Sequence, residues 1–189
     1  MTNPTSNSFR RAVFLDRDGV INENRPNYVR RWEHVRLIPG ARAALAALAQ
    51  SEYAIVIVTN QSGVGRGVFS RAQADGVNQR LVALIVENNG RIDAVQLCPH
   101  RPDEYCVCRK PQPGLLLQAA QELRLDLNRS WLVGDAVTDI QAGLAAGVHP
   151  ILLRTGRGIA QADLLKNHGL DDVLVLDDLA AAVDYILAP

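Results

Sequence analysis

Short apolar runs alternate along the chain with stretches in which apolar positions recur every three or four residues. The runs fall at 12–15, 53–58, 92–97, 131–133, 151–153 and 173–176. Most are continuously apolar, as strands are when helices cover both faces of a parallel sheet. The amphipathic stretches lie between them, at 41–50, 70–87, 113–123, 137–146 and 161–167, and a last helix is expected over 177–187. Strand–helix alternation predicts βαβ units in an α/β fold, a doubly wound parallel sheet. Ser70 and Asp177 suit helix N-caps, and Pro113 suits a first helical turn. Segments 22–39 and 98–110 are too long for plain connectors, and loops of that length carry function or are disordered.

A chain of 189 residues fits one domain (1–189), and 48% apolar content argues against disorder. Twenty basic side chains offset twenty acidic ones, so no bulk field draws the chain to nucleic acid or to a membrane. No apolar run is long enough to span a bilayer, and the polar start MTNPTSNSFRR lacks the apolar stretch of a signal peptide. A soluble, cytoplasmic monomer is expected. The cysteines, Cys98, Cys106 and Cys108, are odd in number and tightly clustered. That disfavours a disulfide scaffold and, in a reducing compartment, favours a metal.

Doubly wound sheets bind ligands beyond the C-terminal ends of their strands. The polar residues there are Asp16-Arg17-Asp18-Gly19, Thr59-Asn60-Gln61-Ser62, Arg109-Lys110 and Gly134-Asp135. Residues two apart on a strand share a face, so Asp16 and Asp18 can converge where Gly19 permits a tight turn. Paired carboxylates suit a hard cation such as Mg²⁺; taken alone they are more often a strand ending in capping or solvated aspartates. Thr59, with the N–H of Asn60, suits a phosphoryl oxygen, although a hydroxyl at a strand end is commonplace. Asp135 can add a metal ligand, and Asp139, one helical turn on, can brace a cation or answer the helix dipole. Lys110 can neutralise a phosphoryl group or sit on the surface. The glycines of 63–67 lack the ending of a P-loop and the spacing of a dinucleotide fingerprint. Cys98, His100, Cys106 and Cys108 make the Cys₃His set of a structural Zn²⁺ site in the loop 98–110.

An apolar strand with DxDG, then a strand ending in Thr, then Lys, then GDxxxD, in that order, resembles the haloacid dehalogenase-like phosphohydrolases. The resemblance implies a Rossmann-like phosphatase fold with no large cap domain. It implies Asp16 as nucleophile, Asp18 as general acid and base, and Thr59 and Lys110 as stabilisers of the phosphoryl group. It also implies Mg²⁺ on Asp16, Asp135 and the backbone carbonyl of Asp18, supported by Asp139. Asp18 must then hold a proton while Asp16 is ionised.

The strings CPHRPDEYCVCRKP, LDRDGVIN and TNQSGVGRG, with the later RTGRG, are similar to the D-glycero-D-manno-heptose-1,7-bisphosphate 7-phosphatase family. That similarity implies a small phosphorylated sugar as partner. It implies release of the 7-phosphate, on the way to ADP- or GDP-heptose precursors. It places Arg109, Asn24, Arg25, Pro26, Asn27, Asn60, Gln61 and Ser62 around the substrate. Histidinol phosphate or another small sugar phosphate is the nearest alternative substrate. A phospho-acceptor signalling domain also phosphorylates a strand-end Asp, but it has no need of Asp18. A zinc-stabilised binding module has no need of the carboxylates at all.

Overall fold

The computed structural model describes residues 9–188. Residues 1–8, most of the polar start from which the lack of a signal peptide was expected, lie outside them. In chain order, β1 (Ala12–Leu15) leads through α1 (Ala41–Ala49) to β2 (Ala54–Asn60). The single turn α2 (Ser62–Gly65) and α3 (Arg71–Glu87) lead to β3 (Ala94–Cys98), and α4 (Gly114–Leu123) crosses back to β4 (Trp131–Gly134). Next come α5 (Val137–Ala146), β5 (His149–Leu153), α6 (Gly158–Leu165), β6 (Leu174–Leu176) and α7 (Leu179–Leu187).

The six strands form one parallel sheet in the order β3-β2-β1-β4-β5-β6. The chain walks outward from β1 to β3, returns to the other side of β1, and walks outward again. The order reverses between β1 and β4, and that reversal leaves a crevice at their C-terminal ends.

Alternation along each strand sorts the core. Val13, Leu15, Ile55, Ile57 and Val133 pack with Leu45, Leu81 and Val183, from α1, α3 and α7. Ala12, Phe14, Val56, Val58 and Leu132 pack with Leu115, Leu116 and Ala142, from α4 and α5. Leu152 meets Val137, Ile140 and Leu165, the last from α6. The central strand β1 is buried on both faces at every position, which is why it reads AVFL rather than alternating. Burying each large apolar side chain there contributes roughly 1.5–3 kcal/mol, enough to hold polar strand ends rigid.

Local chemistry moved several element ends. β3 starts at Ala94 rather than at Ile92, because Asp93 accepts from the Ile55 N–H at 2.7 Å and pairs with Arg91 at 3.1 Å. The last helix is capped by Asp178, which accepts from Ala181 N at 2.9 Å. Asp177, the expected cap, is exposed and faces Arg154 at 3.5 Å. Pro113 is the N-cap residue of α4 and lies just before its first turn. Ser70 caps α3 in a reciprocal box with Gln73. α6 begins at Gly158 rather than Gln161 and ends at Leu165 in a further short turn, Lys166–His168.

Candidate active site

Sheet register delivers the first carboxylate. The N–H of Asp16 donates to Val133 O at 2.9 Å, extending the β1–β4 ladder one residue past the strand. Gly19 then turns the chain at φ 95°. A Cβ at Gly19 would strike the Asp135 carboxylate and the Asn24 amide, and one at Gly156 would strike Asp135 and Gly19. Only glycine lets these backbones approach Asp135 so closely. Asp135 follows β4, and Asp139, in the first turn of α5, accepts from Ala136 N at 3.1 Å.

Lys110 arrives from the loop after β3, and its ammonium is buried. Its Nζ lies 2.6 Å from Asp139 Oδ1 and 3.1 Å from Asp16 Oδ1, and donates to Val58 O at 2.8 Å. The Asn60 side chain clamps the Lys110 backbone, donating to its carbonyl at 3.0 Å and accepting from its N–H at 3.1 Å. Burial opposes the ammonium charge, but Asp139 and Asp16 outweigh it and hold the Lys110 pKa above its ordinary value.

Asp16, Asp135 and Asp139 are buried, with carboxylate oxygens within 4.8 Å of one another. Burial pushes the Asp16 pKa up to about 7; Lys110 resists, while Asp139, Asp135 and Asp18 reinforce the rise. Lys110, with the half-exposed Arg157 on Asp135, does not balance three buried carboxylates. Such a cluster fits a hard divalent cation, which supplies the missing charge. Asp16 Oδ1 accepts from Arg17 N at 2.7 Å as well as facing Lys110. Its Oδ2 has no hydrogen-bond partner among the described residues and is the oxygen left for a cation or an incoming group.

Asp18 is set differently from the expectation. Its carboxylate takes Arg17 Nη2 at 2.7 Å and Nε at 3.2 Å, Asn22 Nδ2 at 2.7 Å and Gln61 Nε2 at 2.8 Å. Burial raises its pKa, but Arg17, Asn22 and Gln61 more than compensate and hold it below the ordinary carboxylate value. The acidities are therefore inverted in the metal-free chain: Asp16 holds its proton more tightly than Asp18. Arg17 is wholly buried and also donates to Asn78 of α3 at 2.8 Å. The Asp18 side chain is thus turned into a polar network and away from the Asp16–Asp135–Asp139 cluster.

A cleft of about 570 Å³ opens over these groups. Asp16, Asp18, Thr59, Lys110 and Asp139 line it, as do Asn24, Arg25, Pro26, Asn60, Ser62 and Arg109 from the expected substrate set. Asn27 is exposed and does not line it. Gln61 lies behind the wall, bridging Asp18 and Thr59 Oγ1, which it reaches at 2.9 Å. Arg157 lines the cleft too and donates to Asp135 at 3.0 Å, beside Asn24 at 2.5 Å. With Arg25, Arg109 and Arg157 around it, the mouth favours an anionic substrate.

The loop after β3 gathers its four ligating residues. Cys98 Sγ lies 3.1 Å from Cys108 Sγ, 3.6 Å from Cys106 Sγ and 3.5 Å from His100 Nδ1. Cys106 and Cys108 are 3.5 Å apart, and His100 Nδ1 is 3.3 Å from Cys108. These are close to the edges of a tetrahedron around one metal ion, and this group can hold one.

Residues 107–182 match the HAD-hydrolase-like family. The chain is 39% identical over 171 residues to the D-glycero-beta-D-manno-heptose-1,7-bisphosphate 7-phosphatase of Pseudomonas putida, covering 90% of this chain and 96% of that one. The chain belongs to this heptose-bisphosphate phosphatase family. The Pseudomonas aeruginosa relative is 36% identical, with 94% and 98% covered. The D,D-heptose 1,7-bisphosphate phosphatase structure from B. bronchiseptica, complexed with magnesium and phosphate, superposes with TM-score 0.87 at 36% identity, covering 94% and 98% of the two chains. As a member of the heptose-bisphosphate phosphatase family the chain is a phosphoric monoester hydrolase. Among its described residues no helix is long and apolar enough to cross a membrane.

Sequence reasoning passed over Arg17, Asn22, Asn78 and Arg157. Arg17 carried a signal, a cation between two aspartates at a strand end. Asn78 carried none, being one polar residue on a long helix.

Proposed function

We propose that this chain releases the 7-phosphate of D-glycero-D-manno-heptose 1,7-bisphosphate, with Mg²⁺, through an aspartyl-phosphate on Asp16. The observation that carries this reading is similarity along nearly the whole chain to phosphatases named for that substrate. The names of those relatives specify the beta anomer. Asp16, Asp135 and the backbone carbonyl of Asp18 would hold the magnesium, while Asp139 holds Lys110. When bound, it neutralises the buried carboxylates and the phosphoryl oxygens.

Asp16 attacks phosphorus in line, and the bond from phosphorus to the sugar oxygen breaks. Asp18 protonates that oxygen as it leaves. A water then attacks the aspartyl-phosphate, gives its proton to Asp18, and frees Asp16 and inorganic phosphate. Lys110, Thr59 and the N–H of Asn60 hold the non-bridging oxygens. Asp18 needs a proton that its partners Arg17, Asn22 and Gln61 disfavour. The incoming phosphoryl dianion repels a carboxylate and raises its pKa, which supplies that shift. Asn24, Arg25, Pro26, Asn60, Ser62 and Arg109 hold the sugar and its second phosphate, with Gln61 acting from behind.

The metal of the loop is zinc, since three thiolates and an imidazole suit it and four protein ligands close the site to chemistry. The reading includes a monomeric, cytoplasmic enzyme supplying ADP- or GDP-heptose precursors.

The test is kcat/KM, with Mg²⁺, for both anomers of the bisphosphate and for histidinol phosphate. A preference for the bisphosphate of at least about 10²-fold is expected. Preference for histidinol phosphate, or turnover that survives removal of divalent metal, overturns the reading. Elemental analysis is expected to give about one zinc per chain; zinc-free protein rejects that assignment.

A further inference from the structure

The loop whose residues Asn24, Arg25, Pro26, Tyr28 and Val29 line the cleft goes on to line a second depression of about 280 Å³. Arg30, Arg31 and Trp32 form one side, and Gly76, Val77 and Arg80 of α3 form the other. No carboxylate lines it. Among the described residues Arg80 has no hydrogen bond or ion pair, and Arg30 Nε is buried without a partner. Arg31 Nε donates to His34 Nε2 at 2.9 Å and meets Glu33 at 3.9 Å, with the Arg31 and Glu33 side chains largely exposed, an ion pairing that offsets little charge. The excess is felt next door: loss of solvation, then Arg25, Arg31 and Arg30, hold the His34 pKa below its ordinary value.

Gly76 is the independent observation. It sits within α3, where glycine destabilises a helix relative to alanine. Its φ is not left-handed, and a Cβ built on it meets nothing within 4 Å. Neither a turn nor close packing requires glycine there. Gly76 lines the arginine-bearing depression without placing a side chain in it.

We propose that this depression binds a small anion bearing a diphosphate group, with the phosphates on Arg30, Arg31 and Arg80 beside Trp32. Three guanidiniums in one depression match the roughly three negative charges of a diphosphate, and their planar forks suit phosphate oxygens. Depletion of carboxylates excludes a cationic ligand. The site is separate from the Asp16 cleft and does not depend on the reading of that cleft.

Trp32 is a built-in reporter. The chain has two tryptophans, and Trp131 packs on His149 and Tyr185, with ring centroids at 5.0 and 5.7 Å. The experiment uses the full-length Trp131→Phe protein without Mg²⁺, titrated with inorganic pyrophosphate, ADP, or sulfate at matched ionic strength. Pyrophosphate is expected to give a saturable change in Trp32 fluorescence. Arg30→Gln with Arg80→Gln is expected to weaken it at least about tenfold, and Gly76→Leu, which fills the floor, to abolish it. Tighter binding of ADP assigns a nucleotide with its base at Trp32; equal binding assigns the phosphates alone. Should Gly76→Leu fail to fold, the Arg30 and Arg80 substitutions decide. The proposal is overturned by no saturable change up to about 10 mM, by an equal response to sulfate, or by a response that the arginine substitutions leave unchanged.

Discussion

The chain gathers charge in two places by different means. At the ends of β1 and β4, three carboxylates and Lys110 are positioned by strands that are buried where they reach the site. In the loop 98–110, three sulfurs and an imidazole converge at the margin of the Leu115–Leu116 core, and Tyr105 and Val107 at its tip are 93% and 79% exposed. The first site is rigid whether or not a cation is present, and pays for that rigidity in repulsion. The second is held at its two ends, by Gln61 N on Cys98 O and by Asn60 on Lys110, and its exposed middle relies on its cysteines and histidine. Removing a metal from the first should change chemistry; removing one from the second should change structure.

Asp16→Asn is the sharpest test of the first half of that contrast. Turnover should fall by about 10³-fold or more, with circular dichroism unchanged; a variant that retains Mg²⁺-dependent turnover breaks the mechanism. Cys106→Ser tests the second half. It should release the loop metal and remove amide-exchange protection over 98–110 while the sheet keeps its own. Because the loop ends at Lys110, kcat should fall by about 10–100-fold. Loss of protection throughout β1 and β4 would erase the distinction between the sites.

A subtler difference appears with pH. In the metal-free chain the Asp16 pKa lies at about 7 against 3.8 unperturbed. Folding therefore favours protonated Asp16, and that stability is complete below the unperturbed pKa and lost as pH rises through about 7. The metal-free Tm should fall by several degrees between about pH 4 and 7. Mg²⁺ should restore it most at the upper end, and Asp16→Asn should flatten the profile. A metal-free Tm that climbs steadily to pH 8 contradicts the environment described for Asp16. Asp18, with its pKa lowered, acts in the opposite sense, and its contribution disappears only in stronger acid. The smallest effect is expected at Asn27, exposed beside the cleft but not lining it. Asn27→Ala should leave kcat/KM within about twofold, whereas Arg109→Ala should raise KM for the bisphosphate.

Much of this was legible because it is local. The AVFL, AIVIV and WLV runs mark both-faces-buried strands, so the polar residues following them had to stand at the ligand-binding edge. The Cys-x-His and Cys-x-Cys spacings name their ligand set without any fold. The pKa order of Asp16 and Asp18 was not legible. It depends on Arg17 being wholly buried and on Gln61, 43 residues away, reaching Asp18. Asp177 and Asp178 were equally plausible caps, and only the backbone turn chose between them.

Sequence by itself determined the sheet class, the strand ends that carry the carboxylates and the clustering of three cysteines and a histidine in one loop, because periodicity and spacing act over a few residues. Tertiary structure decided which side chains face the cleft. It joined Lys110 to Asp139 rather than to Asp16 alone, and turned Asp18 toward Arg17 and Asn78. Those outcomes depend on burial and on charges brought together from distant segments, and dielectric and distance exist only once the chain has folded.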